Sequence, residues 1–250
     1  MGDDVQVSEL AGWTRSSHTA GGVTHPTYRK GTGPGVVVVH EVPGITPEVL
    51  RFASEVVDRG FTVVLPQLFG DPGAPATTGG IVKAIAQVCV SREFTKLKAG
   101  VTSPVADWLR SLARTLHTEL GGPGVGALGM CLTGGFALAM MVDDAVVAPV
   151  VAQPSLPAAI GATRSADLGL SSADREAVRA RVAGGCPVLG VRYRADPATG
   201  TRFDTLTTLL GDGFIKVELD GKGHATLTAD RQQVAVDRVL DFFDQRLRRS

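Results

Sequence analysis

The sequence predicts an α/β fold: a mostly parallel central sheet with helices on both faces. Short β-branched runs alternate with longer amphipathic stretches, the pattern of strands joined by crossover helices. The run Val36-Val37-Val38-Val39 is uninterrupted, as a strand buried on both faces should be. The 31 glycines and 14 prolines are scattered, so they punctuate many short elements and do not mark disorder.

The elements follow in order. Residues 36–39 read as a strand. Residues 46–58 read as a helix, with Thr46 as N-cap, Pro47 in the first position and Gly60 past the end. Residues 61–65 form the next strand, and 67–80 a loop rich in Gly and Pro. Residues 81–90 are apolar and helical. Residues 103–120 form a helix that Ser103 caps, Pro104 follows and Gly121-Gly122 stop. Strands over 125–128 and 146–152 flank a helix over 136–142. A helix over 171–182, a strand over 188–193, a helix over 201–210 and a strand over 214–219 come next. A closing helix spans 228–247, with Val236, Leu240, Phe243 and Leu247 on one stripe. No repeat or linker interrupts the series, so one domain over residues 1–250 is expected.

Composition narrows the function. A chain of 250 residues with 44% hydrophobic content can bury a large core. Its 25 basic and 25 acidic residues cancel, which argues against a nucleic-acid partner. No apolar run reaches membrane-spanning length, and the acidic start Met1-Gly2-Asp3-Asp4 shows no signal peptide. Cys89, Cys131 and Cys186 are odd in number and widely spaced, neither a disulfide framework nor a zinc site. A reducing cytoplasm is the expected setting. Cys186 precedes Pro187 at a strand start and reads as structural; Cys89, between Val88 and Val90, reads as packed. Arginine outnumbers lysine, in keeping with a GC-rich bacterial genome.

Cys131 lies in Ala127-Leu128-Gly129-Met130-Cys131-Leu132-Thr133-Gly134-Gly135. This reads as strand, sharp turn and helix, with a thiol at the apex, the place where an α/β-hydrolase carries its nucleophile. Gly129, Gly134 and Gly135 let strand and helix approach. Thr133 stands where the usual pattern has its second glycine. The competing reading is a buried, inert core thiol.

In such sheets the active site lies at the carboxyl ends of the strands. A catalytic thiol needs a base, and the base an orienting carboxylate. His224, in Gly221-Lys222-Gly223-His224, falls just past the last strand. Asp196, in Arg194-Ala195-Asp196-Pro197, falls just past the preceding one. Taken alone, each is a surface histidine or a turn aspartate. Together, Cys131, Asp196 and His224 keep the chain order of nucleophile, acid and histidine in α/β-hydrolases. Asp204 competes for the acid role but falls inside a helix, where it points away from the strand ends. Glu41 follows the first strand in His40-Glu41-Val42-Pro43-Gly44, at the catalytic edge, or is an acid with no role; His40 reads as packing. The segment Gln153-Pro154-Ser155-Leu156-Pro157 follows another strand end and lines the pocket or is plain loop. Trp108 reads as core.

These residues, His40-Glu41-Val42-Pro43-Gly44, Gly129-Met130-Cys131-Leu132-Thr133-Gly134-Gly135, Asp196 and Gly223-His224, resemble the dienelactone hydrolase family of α/β-hydrolases. The resemblance implies an α/β-hydrolase fold and a Cys131–Asp196–His224 triad. It implies that Glu41 engages the thiol and helps form thiolate when substrate binds. It places the oxyanion hole at the backbone amides of Leu132 and Val42, and it requires no metal or organic cofactor. The implied reaction is hydrolysis of a small ester or lactone through a thioester acyl-enzyme.

The chain departs from the family at two points. Members that act on dienelactone hold the substrate carboxylate with two arginines. Near Leu68-Phe69 this chain continues with Gly70-Asp71, and four residues past the histidine it has Thr228. Arg92 and Arg194 are the substitutes on offer, unless both are ordinary solvated or ion-paired side chains. A carboxylate is costly to bury without a cation, so a neutral or differently anchored ester, lactone or thioester is expected. Two other readings stay open: an acyltransferase or thioesterase on a carrier-bound product, and a catalytically silent small-molecule binding protein. The sequence does not choose between monomer and dimer.

Overall fold

A computed structural model describes residues 10–91, 93–94 and 99–248. Its eight strands are β1 (Thr14–Ala20), β2 (Val23–Lys30), β3 (Gly35–Val39), β4 (Thr62–Pro66), β5 (Val125–Met130), β6 (Val146–Ala152), β7 (Val188–Tyr193) and β8 (Phe214–Leu219). They form one sheet in the order β1-β2-β4-β3-β5-β6-β7-β8. The pairs β1/β2 and β2/β4 are antiparallel; every pairing from β4 to β8 is parallel.

Successive residues of a strand face opposite sides of a sheet, and β3 shows the consequence. Val36 and Val38 enter one core cluster, Val37 and Val39 the other. The first cluster is roofed by α1 (Pro47–Asp58) and by the closing helix α8 (Gln233–Leu247), through Phe52, Val56, Val236 and Phe243. The second is roofed by α3 (Val105–Leu120), α4 (Phe136–Met140), α6 (Ser172–Ala183) and α7 (Arg202–Leu210). Thr46 caps α1 as its sequence predicts, accepting from Val49 N, and Pro47 opens the helix. Helices therefore cover both faces, and the fold is the α/β-hydrolase fold.

Several elements differ from their sequence reading. The β1–β2 hairpin precedes every expected element. β1 is largely exposed and neither strand carries a hydrophobic run, but Gly21 and Gly22 (φ 60° and 79°) supply the positive dihedrals that a tight hairpin turn requires. The helix expected from Ser103 begins at Val105, with Pro104 in the capping position and no side-chain cap. Cys89 is exposed on α2 (Thr78–Val90), not packed. A short helix, α5 (Gly161–Ser165), was not expected.

The most informative shift is at the C-terminal helix. It starts at Gln233, not at 228. Asp230 Oδ2 accepts from the amides of His224 (2.8 Å) and Ala225 (3.2 Å), and Thr228 N donates to Ala225 O (3.1 Å). Those bonds compete with the first helical turn and fold the segment into a loop. Among the described residues, no helix is long and apolar enough to cross a membrane.

Candidate active site

β5 runs to Met130, and the chain then turns sharply at Cys131, whose φ of 51° lies in the left-handed region. For a residue with a Cβ this costs about 1–2 kcal/mol. Local packing demands the turn. A Cβ on Gly129 would lie 2.2 Å from Thr133 O, and one on Gly134 2.7 Å from Pro154 Cα. The Cys131 carbonyl accepts from Gly134 N and from Ser155 N, both at 3.0 Å.

Thr133 explains its own departure from the glycine pattern. Its hydroxyl oxygen accepts from Met130 N at 3.0 Å and lies 3.1 Å from the carbonyls of Val39 and His40. One hydroxyl thus stitches the end of β5 to the end of β3, where Val39 pairs with Gly129. Those two strand ends carry Leu132 and Val42, the residues whose amides the sequence reading assigns to an oxyanion hole.

Asp196 and His224 meet as their chain order predicts. His224 Nδ1 lies 2.8 Å from Asp196 Oδ2, while Asp196 Oδ1 accepts from Ala198 N at 2.9 Å. The aspartate is thus both a partner of the imidazole and the cap of its own turn. Cys131 lies close enough to His224 to favour its charged form. Burial works against charge on His224. The Asp196 bond, then the nearby Cys131, outweigh it and raise the imidazole pKa to about 10. Asp204 sits exposed in the first turn of α7, away from this cluster.

Glu41 is buried, and burial pushes its carboxyl pKa up. Thr228 Oγ1 donates to Glu41 Oε1, and Gln153 Nε2 donates to Oε2 at 3.3 Å. Gln153 itself has a φ of 32°, is fully buried and accepts from Thr226 Oγ1 at 2.5 Å. His40 is a strut. Leu68 N can only donate, and does so to Nε2 at 3.1 Å, so the proton sits on Nδ1 and goes to Glu41 O at 3.0 Å. Complete burial drops its pKa to about 4, which keeps the ring neutral.

Sequence reasoning offered the 153–157 segment as pocket lining or plain loop and noted Thr228, but gave no role to four residues of the cluster. Ser155 Oγ lies 3.2 Å from Cys131 Sγ. Gln153 and Thr228 hold Glu41, and Asp230 fixes the histidine loop. The strand-end position of 153–157 was the available signal for the first two; nothing local distinguishes Thr228 or Asp230. Of the two candidate arginines, Arg92 lies outside the described residues. Arg194 does not join the cluster: its guanidinium, largely exposed, turns to Glu218 (3.2 Å) and Asp220 (3.6 Å). Among the described residues, no group of three or more His, Cys, Asp or Glu is placed to hold a metal ion.

A thiol on a left-handed turn at the carboxyl edge of a parallel sheet, with a histidine and an aspartate from the next strand ends, defines the class: an α/β-hydrolase. The dienelactone hydrolase family model matches residues 20–178, and the chain belongs to that family, one of ester and lactone hydrolases. The match includes Glu41 and Cys131 and ends before Asp196 and His224. No curated protein matches the sequence. Solved structures share the fold. A dienelactone hydrolase from Anabaena variabilis superposes with a TM-score of 0.66 at 16% identity, over 94% of this chain and 98% of that one. A cold-adapted esterase from an Arctic intertidal metagenomic library gives 0.61 at 17%, over 94% and 93%. The thioesterase domain from the curacin biosynthetic pathway gives 0.58 at 12%, over 92% and 99%.

Proposed function

We propose that the protein is a cysteine-dependent hydrolase of small esters or lactones, acting through a thioester on Cys131. The contact chain from Cys131 through His224 to Asp196 carries this reading. An inert core thiol does not require an imidazole oriented by a buried carboxylate.

The raised imidazole pKa leaves the thiol proton on His224, and the Cys131 thiolate attacks the substrate carbonyl. The oxyanion is received by the amides of Leu132 and Val42, an effect worth about 3–4 kcal/mol per donor. The ester C–O bond breaks, and the leaving oxygen takes the proton from His224. A water molecule, deprotonated by His224, then attacks the thioester; acid is released and the Cys131 thiolate is restored. Asp196 holds the imidazole tautomer throughout. Glu41 reaches the thiol only if its carboxyl leaves Thr228 and Gln153 when substrate enters. Ser155 Oγ hydrogen-bonds the sulfur and, with Cys131 as thiolate, can only donate to it. Arg194, tied to Glu218 and Asp220, offers no carboxylate clamp, which favours a neutral substrate. The three free thiols suit a reducing cytoplasm.

The likeness to a thioesterase domain favours one second reading, deacylation of a carrier-bound thioester by the same residues. Turnover of activated esters, simple lactones and acyl-thioesters by wild type and Cys131→Ala tests both. Loss of all turnover in the variant is expected; a retained rate contradicts the cysteine mechanism. Preference for thioesters, with product partitioning to an added alcohol or amine, selects the second reading.

A further inference from the structure

We propose that the acyl part of the substrate is short, apolar and uncharged, and that it seats in a cavity between Leu132, Phe136, Leu156, Pro157 and Leu168. The proposal rests on the hydrolase reading above and names the substrate class of that site.

The cavity holds about 30 Å³, and Val101 also lines it. Among the described residues, no charged side chain lines it. Two observations tie it to the sulfur. Cys131 and Leu156 both pack on the apolar cluster that contains Leu132, Phe136 and Leu168. And the two residues in contact across the thiol, Cys131 and Ser155, are each followed in the chain by a leucine of the cavity wall.

The chemistry settles which half of the substrate goes there. His224 hands its proton to the leaving oxygen and later activates water, so the leaving group must lie on the histidine side. His224 is partly open to solvent, its side chain 31% exposed, which leaves room for an alcohol to depart and water to enter. The acyl chain then takes the cavity that Leu132 and Leu156 wall. One water-sized group needs about 10–15 Å³ of such space, so the cavity holds roughly two to three, an acyl chain of about two to four carbons. A carboxylate there would lose its hydration, and among the described residues no cation lines the cavity to replace it.

The length limit is a specificity device, because apolar walls discriminate by methylene count at about tenfold per group or more. Leu156 is the adjustable wall: it is only half-buried, in a loop, whereas Leu168 is core. The protein's kcat/KM should be measured on p-nitrophenyl esters of two, four, six and eight carbons. Wild type, Leu156→Ala, Leu156→Phe and Cys131→Ala are compared, with circular dichroism on each. In wild type, kcat/KM should fall about tenfold per added methylene beyond butanoate. Leu156→Ala should raise the hexanoate-to-acetate ratio about tenfold, and Leu156→Phe should lower the butanoate-to-acetate ratio. Cys131-dependent turnover that is flat or rising with chain length, or ratios that neither folded variant moves, overturns the acyl cavity and leaves the hydrolase reading intact. Absence of Cys131-dependent turnover with every ester overturns both.

Discussion

Asp196 binds His224 with one carboxylate oxygen and its own turn with the other: Oδ2 lies 2.8 Å from Nδ1, and Oδ1 2.9 Å from Ala198 N. The acid is therefore fixed before the histidine arrives. With one oxygen committed to the backbone, the carboxylate cannot rotate away, and the imidazole tautomer is set.

Asp196→Asn keeps the shape but offers an amide to Nδ1, so kcat should fall by roughly 10⁴-fold. Asp204→Asn, on the exposed face of α7, should stay within about twofold, as surface changes do. Steady-state kinetics of the two variants check this; a larger loss at Asp204 would reassign the acid.

The left-handed backbone at Cys131 makes a prediction about stability. Of two inactive variants, Cys131→Gly should be more stable than Cys131→Ala by about 1 kcal/mol, because only glycine is unstrained at φ 51°. Urea denaturation of the pair measures the difference. Equal stabilities would mean that the turn stores no strain.

Ser155→Ala removes the hydroxyl 3.2 Å from the sulfur. A neutral hydrogen bond is worth about 0.5–1.5 kcal/mol, so the rate of Cys131 alkylation by iodoacetamide and kcat/KM should each drop about two- to tenfold. Ser155→Thr should recover part of both. An unchanged alkylation rate would remove Ser155 from the site's chemistry.

Glu41 gives the pH dependence. Burial raises its carboxyl pKa, so the folded state binds that proton more tightly than the unfolded chain does. Stability from this group is therefore full at low pH and is lost as pH rises above the unfolded value near 4.5. Glu41→Gln carries no such proton. Its stability relative to wild type should grow as pH climbs from 4.5, read by denaturation at a series of pH values. A difference that shrinks with pH would mean that Thr228, His224 and Gln153 outweigh burial.

Much of this fold is legible residue by residue. β6, β7 and β8 begin and end where their apolar runs do. The four valines at 36–39 announce a strand with two buried faces. Cys131, Asp196 and His224 were legible through strand–loop punctuation and chain order, both one-dimensional signals. The hairpin of β1 and β2 was not, because its polar strands lack the hydrophobic pattern that marks the rest. The segment 228–232 read as helix because nothing local reveals that Asp230 will cap the His224 amide from six residues away. The Glu41–Thr228 contact spans 187 positions and exists only once the sheet edge is assembled. Side chains that cap strand ends from distant loops are set by tertiary packing, and local periodicity carries no trace of them.

The most direct test of the account is intact-mass spectrometry on enzyme quenched during turnover of p-nitrophenyl acetate. Wild type should carry one acetyl adduct that peptide mapping places on Cys131 and hydroxylamine removes, and Cys131→Ala should carry none. Turnover with no adduct on Cys131, or an adduct that persists in the alanine variant, would contradict the thioester mechanism.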